Sequence, residues 1–202
     1  GNAGGLDDLQ EIVNQTLRCK KIVAELLEFS RQSIGKLSSF NIEELIDKTL
    51  HLLVNQAAFQ DIHVTRSIES DMPHMIGDMG QIQQVITNLV INAADAMKGK
   101  GDLAIEARYD PGKRRFIIKV RDSGPGIPPE HRDKIFDIFF TTKPVGKGTG
   151  LGLSISQNIA KAHGGILSCD CPPEGGTVFT FELPNEPLAA EEQPVFIGLD
   201  EP

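Results

Sequence analysis

Residues 146–155 read "GKGTGLGLSI", with Gly146, Gly148, Gly150 and Gly152 at every second position before an apolar, helix-like segment. Glycines spaced in this way give a backbone that reaches positive φ and lies against a ligand without Cβ interference, and helix N-terminal amides follow directly. Such a place suits an anion, and Lys143 and Lys147 in the same stretch add charge suited to phosphate. The spacing is neither that of a P-loop, which ends in Lys and Ser or Thr, nor that of the G-x-G-x-x-G dinucleotide fingerprint. A glycine-rich surface loop without a ligand fits the run equally well, so the flanking sequence has to decide.

Working outward, "FFTTKPVGKGTG" (139–150) is too polar and glycine-rich to pack and is expected as a mobile loop after a short helix near 129–137. A helix over about 150–163 closes at Gly164-Gly165. Two strands follow, "GILSCDC" and "GTVFTFELP", joined through Pro172–Gly176. Upstream, "DMGQIQQVITNLVINAADAM" (78–97) predicts a helix capped by Asp78, with Ile82, Ile86, Leu89, Ala93 and Met97 on its apolar face. The strands "DLAIEARYD" and "RRFIIKVRD" flank a Pro111-Gly112 turn, and a helix at about 41–55 and a strand at about 61–70 precede them. The pattern predicts a sheet with helices on one face.

Asn88 and Asn92 lie four residues apart, so their amides are neighbours beside the apolar stripe. Asparagine lowers helix propensity, which asks for a reason. A buried hydrogen-bond network is one reason; an amide oxygen ligating Mg²⁺, a hard ion that bridges substrate phosphates, is the other. In "RDSGPGI", Asp122 ends a strand, and Gly124 and Gly126 let the turn approach something flat. An aspartate there ordinarily caps its own loop. It also suits an adenine, whose exocyclic amino group needs a fixed acceptor while small residues admit the ring.

With 28 acidic against 20 basic side chains and no long basic run, the chain carries no nucleic-acid footprint. No apolar run approaches a membrane span, and a cytoplasmic fragment without membrane contact is expected, whether or not its parent is anchored. Cys19, Cys169 and Cys171 fit a reducing compartment, and Cys169-Asp170-Cys171 lacks the second pair of a zinc site. Residues 1–5 are expected to be a cloning remnant or a disordered start. Over 6–36, Ile12, Thr16, Cys19, Val23, Leu26 and Ser30 alternate four and three apart, a helical stripe with further apolar flanks that calls for partners. Residues 185–202 hold five acids and three prolines without Lys, Arg or His, and are expected to be an acidic tail or linker.

"QVITNLVINAADAM", "RDSGPGI", "IFDIFFTTK" and "GKGTGLGLSI", in that order and separation, resemble the asparagine, first glycine, phenylalanine and second glycine boxes of the sensor histidine kinase catalytic domain over about residues 38–184. The resemblance implies an α+β, two-layer α/β sandwich of Bergerat type, a mixed sheet with helices on one face, shared with type II topoisomerases, Hsp90 and MutL. It implies ATP and Mg²⁺ as cofactors. Asn92 would ligate the metal with Asn88 helping, and Asp122 would accept the adenine amino hydrogen in a pocket shaped by Gly124, Gly126 and Thr177. Phe136, Phe139 and Phe140 would anchor a lid whose Lys143 and Lys147 approach phosphates and whose Gly148, Gly150, Leu151 and Gly152 hinge it. Asn88, Asn92 and Lys143 would be the catalytic set.

In the ATP-hydrolysing cousins a Glu stands four residues before the metal-binding Asn; here Asn88 stands there and has no useful basicity, which favours transfer to a side chain over hydrolysis. The implied acceptor is a histidine on the first helix of a dimerising hairpin, whose second helix "LRCKKIVAELLEFSRQ" resembles, with relay to a response regulator receiver domain. His51, His63, His74, His131 and His163 lack the acidic residue and downstream Pro of a phosphoacceptor box. An ATPase, or an ATP-gated binding module of the same superfamily, is the alternative.

Overall fold

The computed structural model describes residues 35–144 and 148–187, with Ile12, Val13, Gln15, Thr16, Cys19, Lys20 and Val23 upstream. In order come β1 (Ser38–Phe40), α1 (Ile42–Val54), a 3-10 turn (Ala57–Phe59), β2 (Asp61–Ile68), β3 (Met75–Gly77), α2 (Met79–Ala96), β4 (Lys100–Asp110) and β5 (Arg115–Asp122). Then follow α3 (Pro129–Arg132), α4 (Gly152–Ala162), β6 (Ile166–Asp170) and β7 (Thr177–Pro184).

The main sheet has five strands in the order β2-β4-β5-β7-β6. Its β2–β4 pair is parallel and the others antiparallel, so the sheet is mixed. Strand alternation sends Leu103, Ile105, Phe116, Ile118, Val120, Phe179, Phe181 and Leu183 to one face, where they form a single core with the buried stripes of α1, α2 and α4. The other face carries exposed Glu106, Arg108 and Arg121. This is a two-layer α+β sandwich. The fully buried side chains of Ile82, Ile86, Leu89 and Leu103 each contribute about 1.5–3 kcal/mol relative to exposure.

Local signals set the helices. Asn41 Oδ1 accepts from the N–H groups of Glu43 and Glu44 at the start of α1, and Asp78 accepts from Gly80 and Gln81 at the start of α2. The whole predicted stripe of α2, from Ile82 to Met97, is buried. The short helix is four residues, Pro129–Arg132, rather than 129–137, because turns take over before Phe140. Its sequence offers no apolar face longer than one turn.

A second ladder, β1 against β3, pairs Ser38 with Gly77 and Phe40 with Met75 and was not expected. Three-residue strands are too short to show a period. Residues 1–11, 24–34 and 188–202 lie outside the described residues, and with them Leu26 and Ser30 of the 6–36 stripe. Those described upstream have helical backbone, and Thr16 Oγ1 donates to Ile12 O at 2.8 Å. Asn185 is tied back to the body, donating to Arg114 O at 2.9 Å and accepting from Ile76 N–H at 3.0 Å.

Candidate functional site

Where α2, α4 and the ends of β5 and β7 meet, a cleft of about 420 Å³ opens, lined among others by Asn88, Asn92, Asp122, Gly126, Lys143 and Thr177. That volume falls in the usual range for small-ligand sites. The parts come from distant sequence, and the sheet assembles them. Asp122 is the last residue of β5 and Thr177 the first of β7, and the antiparallel register sets them opposite each other.

Asp122 is 4% exposed. Its carboxylate accepts the Gly124 N–H at 2.8 Å and is bonded by the Thr177 N–H and hydroxyl. Burial pushes its pKa up, while those hydrogen bonds pull it down by less. Gly124 packs against Ala96 of α2, and its carbonyl accepts the Gly176 N–H at 2.9 Å. Gly176 has φ +81° and a Cβ there would stand 2.1 Å from the Asp122 carbonyl oxygen, so no other residue closes this turn. Gly126 also lines the cleft.

Along α2 the cleft continues from Ala96 back through Asn92 to Asn88, about 12 Å of helix at 1.5 Å per residue. Asn88 Nδ2 donates to Gly152 O and to Ser156 Oγ, both at 3.3 Å. This ties α2 to the first turn of α4 and leaves Asn88 Oδ1 with no donor among the described residues. Asn92 Oδ1 accepts from Lys143 Nζ at 3.2 Å, and the same ammonium lies 2.5 Å from Asp95 Oδ2. Two carboxamides one helical turn apart in the cleft wall, with no cluster of three acidic, His or Cys ligands among the described residues, suit a cation held chiefly by a ligand's own oxygens and water.

The remaining predicted residues divide. Phe140 lines the cleft, with its ring 5.4 Å from that of His131, whereas Phe136 packs on the core away from the cleft. Phe139 is 58% exposed and outside the cleft. Its backbone sits at φ +68°, and its N–H donates to Gly150 O at 3.0 Å. Gly150, at φ +70°, has Phe139 backbone atoms 2.3 Å from where a Cβ would stand, which explains the glycine there without a ligand. Gly148, Gly150 and Gly152 line the cleft; Leu151 is fully buried in the core at the start of α4. Lys147 lies outside the described residues.

Asp95, His131, Ser156 and Gly176 also build the site and were not among the expected site residues; His131 was considered only as a phosphoacceptor. Asp95 had a signal, lying three residues after Asn92 on the same face. Gly176 and His131 acquire their roles through tertiary contacts that spacing does not carry.

The arrangement sets a recessed acceptor at one end and carboxamides, an ammonium and a helix N-terminus at the other, which suits a ligand with a donor edge and a polyanionic tail. Residues 77–187 match the family model described as histidine kinase-, DNA gyrase B-, and HSP90-like ATPase. The chain is 34% identical over 203 residues to the sensor kinase CckA of Brucella abortus, covering 93% of this chain and 21% of that protein. The crystal structure of full-length ShkA in complex with AMPPNP is similar at TM-score 0.75 and 28% identity, over 93% of this chain and 39% of that one. Histidine kinase ThkA in complex with response regulator protein TrrA is similar at TM-score 0.72 and 33% identity, over 87% of this chain and 50% of that one. The chain therefore spans half or less of each of these proteins. With its cleft, its mixed sheet and more than half its length matched, it belongs to the histidine kinase-, DNA gyrase B- and HSP90-like ATPase family.

Proposed function

We propose that this chain is the ATP-binding catalytic part of a sensor histidine kinase, which donates the γ-phosphoryl group to a histidine outside these 202 residues for relay to a response regulator aspartate. The observation that carries the reading is the sharing of one cleft by a buried, backbone-anchored Asp122 and the Asn92–Lys143 pair.

Asp122 accepts the adenine amino hydrogen, with Thr177 holding the carboxylate in place. Guanine presents a carbonyl at that position, and two acceptors facing each other in a desolvated site repel. Asn92, with Asn88 beside it, would hold Mg²⁺, whose charge offsets that of the β- and γ-phosphates. Lys143 is already at Asn92, and its ammonium moves onto phosphate oxygen when the nucleotide binds. The N-terminal amides of α4, set by the Asn88–Gly152 bond, face the same anion. With an amide at position 88, water has no base there, and transfer depends on positioning an acceptor in line. A homodimer formed through the upstream helical stripe would supply that acceptor, and the ThkA–TrrA complex supports a response regulator as the next station.

Two measurements test this. In competition titrations ATP should bind at least roughly tenfold more tightly than GTP, the size of a hydrogen bond to a charged group, and Asp122→Asn should erase the difference. Equal affinities in the unaltered chain would contradict the reading. With γ-labelled ATP the chain alone should acquire no stable phosphohistidine, while an added hairpin protein carrying a phosphoacceptor box should become labelled. Label on His51, His63, His74, His131 or His163 would overturn the assignment of the acceptor.

A further inference from the structure

His163 stands at the end of α4, at the opposite end of that helix from the cleft-lining Gly152, and is 1% exposed. Its two ring nitrogens are both engaged. Nε2 lies 3.1 Å from the Asp78 N–H, which donates to it, and Nδ1 lies 2.9 Å from the carbonyl of Ile159, which only accepts. These neighbours fix one state: neutral, with the proton on Nδ1. Space for the ring comes from Gly77, where a Cβ would stand 3.4 Å from the ring's Cδ2 and 2.9 Å from Ile82 Cδ1.

Asp78 is a junction. Its carboxylate caps α2 through Gly80 and Gln81 and also accepts the Gly35 N–H at 3.0 Å. Its own N–H goes to His163, so the start of α2 is joined to the end of α4. The same two helices are joined a second time inside the cleft, where Asn88 holds Gly152 and Ser156. Two attachment points fix how one helix lies on another; a single point leaves a pivot.

We infer that His163, as a neutral imidazole pinning the start of α2 to the end of α4, is a positioning residue for the polyphosphate end of the cleft, and that acid releases this pin. The role rests on the nucleotide reading above. A proton on Nε2 would set N–H against the Asp78 N–H and break the bond. Burial holds the imidazole pKa below its ordinary value; the Ile159 carbonyl and the Asp78 carboxylate pull the other way by less. Asp78 is the charged group that bears on the ring among the described residues, and the positive N-terminal end of α2 opposes a second charge there.

The test is calorimetric titration with a non-hydrolysable Mg-ATP analogue, and separately with adenosine, from pH 8 to pH 5.5, in the unaltered chain, His163→Gln and His163→Phe. Glutamine keeps an acceptor near Nε2 that does not titrate; phenylalanine fills the space without one. At pH 8, Gln should bind the analogue within about twofold of the unaltered chain and Phe about fivefold more weakly, the usual scale of one lost hydrogen bond to a buried N–H. Adenosine, which touches only the Asp122 end, should lose less than the analogue. On acidification the unaltered chain should lose affinity and Gln distinctly less. Coincident pH profiles for the unaltered chain and Gln would overturn the inference, as would a flat profile in the unaltered chain, which needs no variant. Equal losses for adenosine and analogue in Phe would show general destabilisation and overturn it too. Absence of binding at every pH would overturn the nucleotide reading itself.

Discussion

The two ends of the cleft are built differently. The Asp122 end is made of strand termini and a turn closed by Gly176, and its carboxylate is almost fully buried and held by three donors from Gly124 and Thr177. The Asn92 end is made of helix side chains, and its ion pair is partly open, with Lys143 33% and Asp95 47% exposed in their side chains. In the proposed function, recognition of a base needs an acceptor that does not move, and the hydrogen bonds from Gly124 and Thr177 would hold Asp122 in that way. Handling a polyphosphate needs charges that exchange partners, and a half-exposed ammonium shared between Asn92 and Asp95 is of that kind.

The sharpest way to break this contrast is at its rigid end. Asp122→Asn should weaken adenine nucleotide binding by roughly 10- to 100-fold, since one hydrogen bond from the ligand to a buried charge is lost. The ligand-free fold should hold, because burial raises the Asp122 pKa: the ionised form is a cost above that value, relieved as pH falls through it. Thermal melts should therefore show the variant within about 1 kcal/mol of the unaltered chain at pH 7. A large loss of stability would mean that Asp122 is structural.

Next in size is the other end. Asn92→Ala should remove the Mg²⁺-dependent part of the affinity, by about tenfold, while leaving Mg²⁺-free binding nearly unchanged. Gly176→Ala should destabilise the fold by about 1–3 kcal/mol through the clash with the Asp122 carbonyl, measured by denaturant melts, and should loosen adenine binding with it. Lys143→Ala should have the smallest effect on stability, below about 1 kcal/mol, because its pair is partly exposed. Its effect should appear in ATP affinity rather than in adenosine affinity.

The pH dependence of stability sharpens the same comparison. With the His163 pKa lowered on folding, its contribution is fully present above the unfolded value of about 6.5 and is lost as pH falls through the lower folded value. Melts over pH 7.5 to 5 should show that acid slope, and it should shrink in His163→Gln.

Helix α2 was legible because an 18-residue amphipathic run carries period, cap and stripe at once, and every apolar position predicted for it is buried. The positions of Asp122 and Thr177 were legible as strand ends, although only the register of β5 against β7 shows that they face one another. The β1–β3 ladder was not legible, since three residues carry no alternation to read. Nor was Gly176, whose necessity lies in a carbonyl 54 residues earlier in the chain, or His163, whose partner is a backbone N–H on another helix. Phe139 shows the reverse: its motif is plain in the sequence, yet the structure explains its φ and its bond to Gly150 without placing its ring in the cleft.

The most direct measurement is a pair of ATP titrations, with and without Mg²⁺, on the unaltered chain, Asp122→Asn and Asn92→Ala. Division of labour across one cleft predicts that Asp122→Asn lowers affinity equally in both conditions, while Asn92→Ala lowers it only when Mg²⁺ is present. Tight ATP binding that survives both substitutions would contradict the account.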